Sequence, residues 1–309
     1  MRNLTPLRFP GNKRWLVSYI KDFIMYHQLN NSIAEPYSGS AAISLGLLEM
    51  NIIEKAYLND KDPMIYAFWY SVFNSNDKLI EKIKEMSTNV TVQKYYELKI
   101  FYKNAINSQL NVDNILDYAA AFLFLNRTSY SGIIKGGPLG GKKQESRYKI
   151  NCRFGINNIE DKIRYLSKFK HKVILSNLDG IKFIKNFTHD NPNTLVYIDP
   201  PYFKAGKDLY SFYFNKEDHE HLAHTLLDNE IRNSWLVSYD DDEFIRKLYS
   251  KKNIFTDEVQ VMNKHVSLPR HYLISSRKRV VYELLFSNRK IPPFSQHILF
   301  DVVADSINN

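Results

Sequence analysis

Asp199, Pro200, Pro201 and Tyr202 close the run "TLVYIDPPYF" over residues 194–203. A carboxylate at the end of an apolar, strand-like stretch is followed by two residues whose φ is fixed and which have no N–H, so their carbonyls point where the rings set them. That makes a rigid rim of acceptors. An aromatic amino group has two N–H bonds: one suits the Asp199 carboxylate and the other the Pro200 carbonyl. Held by both, the nitrogen lone pair turns out of conjugation with its ring and becomes a nucleophile. Tyr202 adds a flat face for stacking, worth ~1–3 kcal/mol per base.

Other strand-like segments end in polar residues of the same kind. "AEPYSGSAA" runs from a strand into Glu35-Pro36-Tyr37 and a turn with Gly39 and Ser40 that opens a helix, a layout that brings backbone close to a ligand and aims helix N–H groups at it. One β-α unit later a strand ends at Asp60, where an acid can accept from both hydroxyls of a ribose. "SNLDG" puts Asp179 on the same rim. Asp60, Asp62 and Asp179 also suit helix N-caps, and capping and ligand binding are compatible roles.

The elements that must position these residues alternate. "SIAE" and "KAYLN" read as strands, each followed by an apolar helical segment, "AAISLGLLEMN" and "MIYAFWYSVF". From residue 76 strand signals vanish, and "DKLIEKIKEM", "VQKYYELKIFYKNAI" and "NILDYAAAFLFLN" have helical spacing. A glycine- and lysine-rich stretch follows, "RTSYSGIIKGGPLGGKKQESRYKINCRFG", which reads as an exposed loop or hairpin. Strands return in "HKVILSN", "NTLVYID" and "SWLVSY", and "IFTDEVQVM" and "RVVYELLFSN" predict an antiparallel finish. The expected fold is α/β, a doubly wound, mostly parallel sheet with an antiparallel terminal strand. Residues 1–75 and 170–309 would form the catalytic domain, with 76–169 an inserted helical unit carrying a basic hairpin. Ligands in such sheets bind beyond the carboxyl ends of the strands.

Composition bounds the partners. Lys and Arg number 42 against 33 Asp and Glu, a net charge of +9 that favours a polyanion such as nucleic acid. No stretch approaches the ~20 apolar residues of a membrane span, and "MRNLTPLRFPGNKRW" lacks the core of a secretory signal, so a cytoplasmic, DNA-associated protein without a membrane partner is expected. The single cysteine, Cys152, forms no disulfide framework. His219, His221 and His224 do not share a helix face as metal ligands would, and no metal is expected.

The chain resembles the DNA adenine methylases, enzymes that move a methyl group from S-adenosylmethionine to the 6-amino group of adenine, in the group whose recognition domain lies between the second and third strands. "YIDPPY" is similar to the family's catalytic tetrad. "RFPGNKRWL" resembles its N-terminal aromatic-glycine-lysine segment, which implies that Phe9, Pro10, Gly11 and Lys13 lie against the methionine part of the cofactor. "EPYSGSAA" resembles the cofactor loop, "LNDKDP" the ribose segment, and "SNLDG", with Asn177 and Asp179, the segment holding the cofactor's adenine. "NRTSYSGIIKGG" is similar to the recognition hairpin. By that match Arg127 belongs to the DNA-binding set, Tyr130 inserts into the base stack, and Ser131 and Lys135 contact bases or phosphates. Ser131 and Lys135 replace the asparagine and arginine of the best-known members; Asn12 and Ala41 each replace a glycine. Double-stranded DNA is the implied partner. Lys142, Lys143, Arg147, Lys149 and Arg153 would dock on its phosphates, and the target adenine would leave the stack to reach the cofactor.

Two other readings stay open on the sequence alone. One is an amino methyltransferase acting on cytosine, RNA or a protein glutamine; Asp199 in place of the serine or asparagine common there argues for adenine. The other is a DNA-binding regulator or defence-complex subunit that keeps the fold without catalysis. The recognition sequence is not legible, nor is whether a cognate restriction enzyme or other defence component is a partner.

Overall fold

The structure, a computed structural model, describes residues 3–9, 11–29, 31–106, 110–111, 113–187, 193–204, 206–209, 211–227, 231–250, 254–261 and 281–291. Seven strands form one sheet: β1 (Ser32–Glu35), β2 (Lys55–Asn59), β3 (Val173–Ser176), β4 (Thr194–Ile198), β5 (Ser234–Asp240), β6 (Phe255–Val261) and β7 (Val281–Ser287). Their spatial order is β3-β2-β1-β4-β5-β7-β6. The first five in that order run parallel, and β7 pairs antiparallel with both β5 and β6. The α/β class, the parallel majority and the antiparallel finish are those the sequence predicts.

Central strands covered on both faces are buried along their whole length, without the alternation of a half-exposed strand. All four residues of β1 and all five of β4 are buried. One face is covered by α1 (Val17–His27), α2 (Ala42–Glu49) and α3 (Pro63–Asn74), the other by α8 (Gly180–Phe187), α10 (Lys216–Leu227) and α11 (Glu243–Leu248), with the short α9 (Gly206–Leu209) following β4. Helix starts follow capping chemistry. Asp62 accepts from the Met64 N–H at 2.9 Å with Pro63 at the first helical position of α3, and Asp242 accepts from the Phe244 N–H at 2.8 Å to start α11.

Between α3 and β3 the chain builds α4 (Asn76–Ser87), α5 (Val92–Ala105), α6 (Ile115–Thr128) and α7 (Ile156–Ser167). Helix α6 packs along α3, and Phe68 and Trp69 of α3 share one apolar cluster with Phe122 and Phe124 of α6. Residues 129–153 fold as a compact loop. Ser129 bridges to Pro138, and the Gln144 side-chain amide donates to the carbonyls of Leu139 and Gly141 while its oxygen accepts from the Ile150 N–H. Among the described residues no helix is long and apolar enough to cross a membrane.

Candidate active site

Strands β1 and β4 are neighbours whose onward connections leave in opposite directions, so a crevice opens past their carboxyl ends. Asn59, the last residue of β2, ties three strand ends together there. Its amide donates to the carbonyls of Pro36 at 2.9 Å and Leu178 at 3.0 Å; its oxygen accepts from the Ser176 hydroxyl at 2.8 Å and the Leu178 N–H at 2.9 Å. The crevice beyond this knot holds about 930 Å³ of empty space, partly open to solvent.

Three acids at successive strand ends line it. Glu35 accepts from the Ser44 N–H in the first turn of α2 at 2.8 Å, and burial pushes its carboxyl up to about 7. Asp60 accepts from the N–H groups of Gly39 at 2.9 Å and Asp62 at 3.0 Å; burial, then the charge of Asp62, raises it to about 7. Asp179 caps α8 through the Ile181 N–H at 3.0 Å and pairs with Lys61 at 3.1 Å. Two glycines keep the walls close. Gly39 has φ +45° and faces the Phe9 ring, while a Cβ on Gly180 would overlap the Tyr37 ring.

Asp199 sits at the other end of the crevice, its side chain 26% exposed. One of its oxygens, Oδ1, accepts from the Lys13 ammonium at 2.8 Å and from the Ser238 hydroxyl at 3.1 Å. Ser238 is in turn bonded to the Tyr197 hydroxyl at 2.8 Å. The Lys13 ammonium is buried, and its remaining hydrogens go to Glu283 on β7 at 2.9 Å and to the Tyr202 hydroxyl. Burial works to lower the Lys13 pKa, but the carboxylates of Asp199 and Glu283 outweigh it and hold the ammonium well above the ordinary lysine value.

Most of the predicted catalytic and cofactor-binding residues converge on this crevice. Phe9, Gly11 and Lys13 line it with Glu35, Tyr37, Gly39 and Ser40, and so do Asp60, Asp179, Asp199 and Pro201. Pro10 lies outside the described residues. Pro200 is buried behind the rim. Pro36 contributes a carbonyl to the Asn59 knot, and Asn177 donates to the carbonyls of Asp60 at 2.7 Å and Lys61 at 3.2 Å, so both shape the backbone rather than face the space. Tyr202 differs from the open stacking face expected of it. The ring is buried and its hydroxyl donates to Glu283 at 3.2 Å, because a buried phenol must bond its hydroxyl. Arg127 differs too: its guanidinium donates to the carbonyls of Arg153 at 2.6 Å and Pro6 at 3.1 Å, bracing the N-terminal segment against the basic loop. Tyr130 is 47% exposed, and Lys142, Lys143 and Arg147 are exposed. Ser131 takes the left-handed conformation at φ +55°, and Lys135 lies over the Tyr213 ring at 4.9 Å, beside Phe212 and Phe214 of the crevice wall.

A family model described as D12 class N6 adenine-specific DNA methyltransferase matches residues 9–263. The chain belongs to that family.

This D12-class chain is 25% identical over 297 residues, 91% of its own length and 98% of the relative's, to the Type II methyltransferase M.MjaIII of Methanocaldococcus jannaschii. It is 25% identical to the Type II methyltransferase M.CviBI of Paramecium bursaria Chlorella virus NC1A, covering 71% of the chain and 76% of the relative. It is 24% identical to the DNA adenine methylase of Haemophilus influenzae, covering 79% and 82%. The resemblance drawn from the sequence is therefore correct, and the chain is an adenine-specific DNA methyltransferase of a family whose reaction is S-adenosylmethionine-dependent methylation.

In this D12-class fold three residues that matter escape the sequence reading. Asn59 looks like an ordinary strand end. Ser238 sits in an apolar strand with nothing to mark it. Glu283 interrupts "RVVYELLF" as an outward-facing charge on a half-exposed strand would, yet it is buried.

Proposed function

We propose that the crevice binds S-adenosylmethionine along the ends of β1, β2 and β3 and receives a flipped adenine against Asp199. S-adenosylmethionine supplies an electrophilic methyl group when bound. The donor set suits it. Desolvation raises the carboxyls of buried Glu35 and half-buried Asp60 to about 7, and an ammonium and a ribose are partners that would suit them. The close wall at Gly39 and Gly180 suits a flat ligand edge.

The observation that carries the reading is the division of labour at Asp199. Its Oδ1 is held from within by Lys13 and Ser238, and the carboxylate fronts the crevice beside Pro201. The other oxygen, Oδ2, is left to accept one N–H of the adenine amine while the Pro200 carbonyl accepts the second. Positioning and charge placement then do most of the work. Tyr202 must turn out from under Lys13 to stack on the base, so adenine entry and release of its hydroxyl are one event.

Residues 76–169 are read as the recognition unit, with Tyr130 entering the stack, Ser131 and Lys135 at base or phosphate positions, and Lys142, Lys143 and Arg147 on phosphates. Alignment over nearly the full length of a relative named as a Type II methyltransferase supports a protective role beside a cognate restriction enzyme. The test is calorimetric binding of S-adenosylmethionine followed by radiolabelled methyl transfer to mixed-sequence duplex DNA. Asp199→Ala is expected to lower the transfer rate at least ~1,000-fold while binding DNA as the parent does. An unchanged rate in that variant removes Asp199 from the role given to it.

A further inference from the structure

Lys13 presents an electrostatic problem that the reading of Asp199 leaves unsolved. Methyl transfer would form a bond between the adenine nitrogen and the methyl carbon as the carbon–sulfur bond breaks, moving positive charge onto that nitrogen until one N–H proton passes to the solvent that reaches the crevice. A carboxylate beside the nitrogen favours this movement. An ammonium 2.8 Å from the same carboxylate opposes it. Lys13 and Asp199 alone sum to zero, and a neutral pair is a poor stabiliser of the charge that develops.

Glu283 alters that sum. It is 2% exposed at its side chain, stands 2.9 Å from the Lys13 ammonium, and also accepts from the Tyr202 hydroxyl at 3.2 Å. We propose that Glu283 is a positioning residue for the methyl transfer: it neutralises Lys13, so that Lys13 can fix the orientation of Asp199 without cancelling its charge, and the buried cluster presents a net negative charge to the amine. This rests on the assignment of Asp199 made above. Among the described residues Glu35, Tyr197 and Asp240 also act on the charges of the cluster. Tyr197 is buried, and burial followed by the charge of Asp199 holds its hydroxyl neutral. Asp240 lies opposite Glu283 in the β5–β7 register; burial, then Glu283, pushes it up to about 6, with Lys204 opposing. Above that pH its charge has the same sign as that of Glu283 and adds to the effect. The second function of Glu283 is on Tyr202: the acceptor that anchors the phenol also defines what the ring must leave to stack on the base.

The experiment measures single-turnover methyl transfer with saturating cofactor and DNA, together with both dissociation constants, for wild type, E283Q, K13M and K13M/E283Q. Glutamine keeps the shape and an acceptor but leaves Asp199 alone to offset the Lys13 charge. The expected result for E283Q is a rate lowered roughly 10- to 100-fold with both dissociation constants within about 3-fold of wild type. The double variant removes both charges, restores the sign of the cluster, and is expected to be faster than E283Q. A wild-type rate in E283Q overturns the proposal, as does a double variant no faster than E283Q. Should E283Q fail to fold, the double variant decides alone: about a tenth of the wild-type rate or more supports the charge argument, and less overturns it. Thermal unfolding without cofactor or DNA gives an independent readout. K13M removes the ammonium that faces the buried Glu283 carboxylate and must melt below K13M/E283Q; the reverse order overturns the pairing. If wild type itself transfers no methyl group to DNA, the failure belongs to the functional assignment, and the melting order still judges the pairing.

Discussion

At the scale of single residues two of the crevice acids, Glu35 and Asp60, have carboxyls raised by desolvation. Glu35, buried and raised from 4.5 to about 7, keeps its proton in the folded chain over a range where the unfolded chain has lost it. A group raised in this way contributes stability that is complete below the unfolded value and is lost as pH climbs through the folded one. Between pH 4.5 and 7 the free protein should therefore lose on the order of 3 kcal/mol through Glu35, and Glu35→Gln should remove that part of the slope. Differential scanning calorimetry of both proteins across this window checks it; parallel melting profiles would show that Glu35 titrates normally. The acids at Glu35, Asp60 and Asp199 are legible in the sequence because each ends an apolar run, where a charge has no packing reason to be. Glu283 is not legible. Its partner Lys13 is far away in the chain, and an acid inside a β-rich run has the pattern of an exposed face until the fold buries it.

At the scale of elements the site depends on three connections that leave β1, β2 and β3 side by side. Period and apolarity announce those strands, and the residues after them announce turns, but nothing local states that the turns are bonded to one another. Asn59 does this with four hydrogen bonds from one amide. Truncating it to alanine leaves the Leu178 N–H and the carbonyls of Pro36 and Leu178 without their partner in a buried place. Such orphaned groups cost about 1–3 kcal/mol each, so Asn59→Ala should lower stability by about 3 kcal/mol after relaxation, read as a shift in urea midpoint at constant slope. Because Asp60 and Asp179 ride on the same turns, affinity for S-adenosylmethionine should fall with it. A stable variant with unchanged affinity would mean that β-pairing alone holds the turns. Asn59→Asp should do no better, since a carboxylate cannot donate to two carbonyls and would stand next to Asp60.

At the scale of the whole molecule the charge is distributed for a polyanion that the crevice alone cannot hold. The net +9 of the chain includes Lys142, Lys143 and Arg147, all exposed on the loop between α6 and α7. Two of these heads are seated on aromatic faces: the Lys142 ammonium lies over the Tyr96 ring at 5.8 Å and the Arg147 guanidinium over the Tyr148 ring at the same distance. Cations held this way would meet phosphates with little further ordering, and each such contact would release counterions. Log affinity for duplex DNA should thus fall linearly with log salt, and replacing all three residues by alanine should flatten that line by roughly 2 to 3 units of slope. Arg127 sets the contrast. Its guanidinium is committed to two backbone carbonyls, so Arg127→Ala should lower melting temperature and leave the salt slope unchanged. Fluorescence anisotropy between about 50 and 200 mM salt resolves both variants. An unchanged slope in the triple variant would move the phosphate contacts off this loop and leave the surplus charge to some other face.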